Sequence, residues 1–181
     1  MTPEELRADA KTLSASSNLL LVGTTQPYSK HWRLGGDFRI ANTSATGASG
    51  TVAAVPGSGN SYIYTMQAIA NSLFIENDLS VISASYVDDN RFKGRSLTFS
   101  RVETLRKYWR LDMALQLYNQ SDISGVHQMR ITPSLKLNYH LNDRVSLEGE
   151  GGIEDTHTYS ATQDDKTRRR YFYVGYRWDF Q

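Results

Sequence analysis

The chain of 181 residues contains no cysteine, which excludes a disulfide framework and thiolate metal sites and suits export through an oxidising compartment. It also lacks long hydrophobic runs. Uninterrupted apolar stretches reach only the length of Leu19 to Val22, far short of the roughly 20 residues a membrane-crossing helix needs, so a helical span is excluded. An excess of one charge sign is missing as well. Lys and Arg number 20 against 19 Asp and Glu, a formal charge of +1, which provides no basic field for nucleic acid. The start Met1-Thr2-Pro3-Glu4-Glu5 has neither a basic nor an apolar targeting segment; for an exported protein this N-terminus reads as a fragment boundary. A mean hydropathy of -0.50 with 39% hydrophobic residues would ordinarily indicate a soluble domain. A wall with one face to lipid and one to water, however, has an ordinary average and an unusual alternation.

That alternation is present. After a short helix over about Pro3 to Leu13, started by Thr2, Pro3, Glu4 and Glu5, the hydrophobic period changes from 3.6 to 2 at Ser17 and stays there. Trp109, Leu111, Met113, Leu115 and Leu117 alternate with Arg110, Asp112, Ala114, Gln116 and Tyr118. His127 to Leu141 does the same, and so does the last strand, with Phe172, Val174, Tyr176, Trp178 and Phe180 on one face. Weaker versions at His31 to Asn42, Ser61 to Phe74, Leu79 to Asp88, Lys93 to Thr104 and Val145 to Thr156 bring the count to eight strands. Each is long enough for the 9 to 11 tilted residues that cross a bilayer. The fold class is therefore all-β, an antiparallel up-and-down transmembrane barrel of about eight strands, with residues 1–16 as helix and linker and 17–181 as the barrel domain. Asn18 to Thr25 fits a ninth strand. Single-chain bacterial barrels have even counts, so either that segment does not span or the chain is part of a larger barrel. Tight turns near Phe74 to Leu79, Leu105 to Lys107 and Leu141 to Asp143 alternate with expected longer loops at Thr43 to Asn60, Asn119 to Val126 and Thr158 to Arg168. The link Asp89 to Phe92 is the short exception.

Period 2 alone also describes a soluble barrel with its apolar face turned inward around a ligand. Three features weigh against it. Apolar-face aromatics gather beside the short turns, at Trp32, Phe74, Trp109, Tyr139, Trp178 and Phe180, with Tyr62, Tyr64 and Phe172 at the other end, as two headgroup boundaries select. Eight strands leave only enough interior for side chains to fill, and long apolar ones would crowd it. The opposite face carries both charge signs, at Arg33, Asp37, Arg39, Arg110, Asp112, Arg130, Lys136, Glu148, Glu150, Glu154 and Arg177, the expected lining of a hydrated or salt-bridged lumen. Glu148, Glu150 and Glu154 are read as pairing with Arg130, Lys136 and Arg110 on neighbouring strands, the alternative being that they line a cation path.

The segment Tyr173-Val174-Gly175-Tyr176-Arg177-Trp178-Asp179-Phe180 resembles the C-terminal β-signal of bacterial outer-membrane proteins, with Gln181 as a departure from the commoner terminal aromatic. The resemblance implies residence in the outer membrane of a Gram-negative cell, recognition by the barrel assembly machinery, and burial of Trp178 and Phe180 in outer-membrane lipid. The end of the chain is similar also to large exporters that join periplasmic helical repeats to a terminal barrel, which makes Pro3 to Leu13 a remnant of such a region or of an outer loop. The leading expectation is a transport or secretion pore, porin-like, passing a polymer or a small solute. The competing one is a complete eight-stranded barrel with a structural or surface-interaction role. Because some small outer-membrane barrels modify lipid A, histidines matter. His31 and His140 fall at the short-turn end and His127 and His157 at the other, so no catalytic set and no metal cage is expected, no cofactor is called for, and no enzyme activity is assigned.

Overall fold

The computed structural model describes residues 2–48, 53–106, 108–142 and 144–178. Phe180, with Asp179 and Gln181, lies outside them. One helix and nine strands follow one another: α1 (Pro3–Leu13), β1 (Ser17–Pro27), β2 (Trp32–Thr43), β3 (Gly59–Asn71), β4 (Leu79–Asp88), β5 (Phe92–Arg106), β6 (Trp109–Asp122), β7 (His127–His140), β8 (Val145–Tyr159) and β9 (Asp164–Trp178). They form one antiparallel meander in the order β1 to β9. Asn18 to Thr25 is thus a full strand, paired from Ser17↔Thr43 to Pro27↔Arg33, and the wall has nine strands rather than eight.

The helix begins where its sequence directs. The Thr2 hydroxyl accepts from the Glu5 N–H at 3.2 Å and the Glu5 carboxylate accepts from the Thr2 N–H at 2.6 Å, satisfying two otherwise orphaned donors. Gly47 N–H donates to the Thr12 carbonyl at 3.0 Å and Ser44 N–H to that of Ser16 at 2.8 Å, which ties the helix to the 44–58 connection. This end of the sheet is the loop end; the opposite edge is the turn end.

Two of the expected long loops contract. Residues 119–126 and 158–168 shorten to connections at 123–126 and 160–163, because pairing continues to Ser121↔His127 and to Tyr159↔Asp164 through Thr156, Thr158, Tyr159 and Thr167, residue types that suit a pleated surface. Strands β5 to β9 therefore reach 14 or 15 residues, more than a bilayer requires. The turn at 72–78 also differs, since β3 stops at Asn71 and Phe74 lies in the turn. Ser72 (φ 52°) and Asn77 (φ 65°) are left-handed there, and the Asp78 carboxylate accepts from the N–H groups of Leu73 at 2.7 Å and Phe74 at 3.2 Å. Burial opposes ionisation of Asp78, but those donors, the Ile75 N–H and the Arg101 charge outweigh it and hold the carboxyl below its usual range.

Directly paired residues share a face, so the register divides the sheet into two surfaces. One bears Leu34, Met66, Ile82, Leu97, Leu115, Leu135, Leu147, Val174 and Trp178. All are exposed, Met66 at 72%. On the other, most side chains are half-buried. Crowding on one face and exposure on the other describe a curved sheet with its apolar surface convex and its polar surface concave. Among the described residues Ala70 is the only buried hydrophobic one. A soluble barrel would bury its apolar face; this wall presents it outward.

Candidate functional site

The concave face carries the candidate site. One register row crosses from β2 to β9 as Asp37↔Thr65↔Ser85↔Ser96↔Tyr118↔Arg130↔Thr156↔Thr167, polar at each position. Arg33, Asp37, Arg110, Asp112, Arg130, Lys136, Glu148, Glu150 and Arg177 all fall on this face, as do Arg39 and Glu154. An apolar patch interrupts it in β3 to β5, where Ile63 faces Val87, Ile69 faces Val81 and Leu79 faces Val102.

The charges are held locally. Lys136 Nζ lies 2.9 Å from Glu148 Oε2, and Arg110 Nε lies 2.8 Å from Asp112 Oδ1 on its own strand. Arg130 sits over the Tyr118 ring at 5.4 Å, while the Tyr118 hydroxyl donates to Gln120. Glu150 accepts from the Tyr171 hydroxyl at 3.3 Å. Glu154 lies opposite Arg169. Lys136 and Glu148 are brought together as the sequence suggests, whereas Arg110 and Arg130 turn to Asp112 and Tyr118. Arg33 and Asp37 stand apart on β2. Tyr118 and Tyr171 are the missed members: the alternation places them on this face, but the lining was read from charged residues alone.

On the convex face Trp32, Trp109, Tyr139 and Trp178 lie toward the turn end, with the Trp109 and Tyr139 rings 4.4 Å apart. Phe38, Tyr62, Tyr64 and Tyr86 gather toward the loop end, with Phe38 to Tyr64 at 4.8 Å. Phe172 belongs to neither group. It sits mid-way along β9, opposite Gly151, because β9 begins at Asp164 and not beyond a long loop. Four charges of β5 lie on the apolar surface, Lys93 and Arg95 toward the loop end and Arg101 and Glu103 toward the turn end. Arg101 is 3.3 Å from Asp78 and 2.5 Å from Glu103, and the turn folds Phe74 over its guanidinium at 4.5 Å. Asp78 and Glu103 are buried, so these ions are paired and roofed rather than open to their surroundings.

The histidines converge more than the sequence indicates. The His127 and His157 rings both pack on Tyr159, at 5.0 and 5.1 Å. Ser121 Oγ lies 2.7 Å from His127 Nδ1, and His157 Nε2 lies 2.7 Å from Asp164. Ser121 and His127 meet because they are directly opposed across β6 and β7. A hydroxyl against an imidazole is half of a nucleophile-and-base arrangement; among the described residues no carboxylate is hydrogen-bonded to the His127 ring. No three potential ligands gather into a metal site among the described residues.

No family model and no curated protein matches the chain. Among solved structures it is similar to OmpT (in-vitro folded), an outer membrane protein of Vibrio cholerae, with a TM-score of 0.62 at 12% identity. The fold matches that of an outer-membrane β-barrel. The similarity covers 94% of this chain and 57% of that one, so the nine strands span little more than half the length of the protein they match.

Proposed function

We propose that this chain is one wall of a larger β-barrel in the bacterial outer membrane, serving as a transport or secretion pore with its polar concave face lining the lumen. The observation that carries this reading is that both sheet edges are open. Among the described residues β1 pairs only with β2 and β9 only with β8. In a meander of nine strands the first and last run in the same direction, so joining them would require a parallel seam. An odd number of further antiparallel strands closes the wall without one. Unpaired edges are not tolerated in hydrocarbon, where each unsatisfied backbone group is worth several kcal/mol, and a barrel widened by added strands has room for water.

The competing reading, a complete eight-stranded barrel, must leave β1 outside the wall. Its unbroken register with β2 speaks against that. The Ser121 and His127 pair faces outward, and among the described residues no carboxylate is hydrogen-bonded to His127, so the pore reading assigns it no step. The terminal segment Tyr173 to Phe180 supports delivery by the barrel assembly machinery. The decisive experiment extracts from outer-membrane fractions the complete barrel of which this chain is a wall and records it in a planar bilayer. A barrel with heat-sensitive gel migration and steady ionic conductance is expected. A folded, membrane-inserted protein without conductance would overturn the pore.

A further inference from the structure

The convex face of β7 to β9 holds a groove that the fold does not need. Its floor is Gly149 and Gly151, flanked by Leu135, Leu137, Ile153 and Phe172, with a volume of about 580 Å³. Neither glycine has a positive φ. A Cβ at Gly149 would come no closer than 4.0 Å to the Tyr173 carbonyl oxygen, and one at Gly151 no closer than 3.7 Å to Phe172, so neither glycine is demanded by packing. Glycine weakens a strand by backbone entropy and by lost side-chain contact. Two glycines at successive outward positions therefore leave a trough, and its walls are apolar.

The trough continues toward the loop end into a second hollow of about 490 Å³ lined by Met129, Ile131, Asp155, His157, Lys166 and Arg168. Along β9 the outward residues change from Trp178, Tyr176, Val174 and Phe172 to Arg170, Arg168 and Lys166, facing Ile153, Asp155 and His157. The change falls at a definite height. Arg168 to Trp178 measures roughly 34 Å at about 3.4 Å per residue, and a tilt of about 40° reduces this to roughly 25 Å, the height of a barrel's apolar band. With Trp178 at one boundary, Arg168 stands at the other and Arg170 just inside it. Arg168 contacts Asp155 at 2.5 and 3.1 Å and His157 contacts Asp164, whereas Arg170 and Lys166 have no ion-pair partner among the described residues.

We propose that this composite surface binds a membrane lipid with an anionic phosphate headgroup, its acyl chain in the glycine trough and its phosphate on Lys166, Arg168 and Arg170. The assignment rests on the membrane placement proposed above but not on the pore. Guanidinium groups form paired hydrogen bonds to phosphate, and a bare glycine floor lets a chain lie against the backbone. Arg168 exchanges Asp155 for the phosphate, which leaves Asp155 within reach of Arg170.

The test uses the full, detergent-extracted protein and native mass spectrometry with added phosphatidylglycerol, phosphatidylcholine or inorganic phosphate. Retention of phosphatidylglycerol over phosphatidylcholine is expected, together with a loss on the order of thirtyfold in Arg168→Gln/Arg170→Gln. Gly151→Leu, which fills the trough and keeps the charges, is expected to weaken retention of the lipid alone. Lys166→Gln, with heat-sensitive migration intact, gives a second reading should the double variant fail to fold. Equal retention of both lipids, unchanged retention in the charge variants, or full competition by inorganic phosphate at equal concentration would overturn the lipid site. Loss of conductance with lipid retention intact would count against the pore and leave this site standing.

Discussion

Lys136 on β7 lies directly opposite Glu150 on β8 but pairs instead with Glu148, one outward-and-back step along the strand, at 2.9 Å. Glu150 takes the Tyr171 hydroxyl. Asp112 also lies opposite Lys136 and is bridged by Arg110 on its own strand, so Lys136 is a cation set among three carboxylates on the concave face of β6 to β8.

Reversing that cation should therefore favour cations in the lumen. Lys136→Glu is expected to shift ionic selectivity toward cations several-fold, read as the zero-current potential under a salt gradient, with migration on gels unchanged. An unaltered potential would place Lys136 away from the conducting path.

The two faces should respond oppositely to a new charge. Leu115→Arg puts a cation on the convex apolar face and is expected to destabilise the inserted protein by about 2 to 4 kcal/mol, measured by denaturant unfolding in lipid vesicles. Ser96→Arg on the concave face should have a much smaller effect. Equal effects would mean that the apolar face does not meet lipid.

Acid should loosen the 72–78 turn. Asp78 has a folded pKa below its ordinary value, so the stability it contributes is present at neutral pH, begins to fall near the unfolded value of about 3.9, and is lost as pH drops through the folded value. In a series of unfolding midpoints against pH, Asp78→Asn should lower the midpoint at neutral pH and flatten the profile on the acid side. A mutant profile parallel to wild type would dismiss the turn as the sensor.

Assembly in the cell should depend on the chain's end more than refolding does. Phe180→Ser is expected to lower outer-membrane levels while leaving refolding into detergent nearly unchanged. Equal membrane levels would make the terminal resemblance accidental.

Alternation at period 2 was enough to establish the meander and which side chains share a face, because a strand's side-chain direction is a local property, and the cap residues Thr2 to Glu5 were enough to start the helix. The same logic identified Trp32, Trp109, Tyr139 and Trp178 as turn-end aromatics on one surface. Strand limits were less legible. Nothing local distinguishes the polar, Thr- and Arg-rich ends of β8 and β9 from a loop; their pairing, a non-local event, makes them strand. Contacts across strands were hidden for the same reason. Ser121 against His127, Arg101 between Asp78 and Glu103, and Phe74 over that guanidinium all depend on register and on how one turn folds back. The sequence by itself determined an amphipathic antiparallel wall. Only the tertiary structure decided that the wall has nine strands with two open edges and a convex apolar face, because curvature and edge pairing arise between strands and leave no period in the chain.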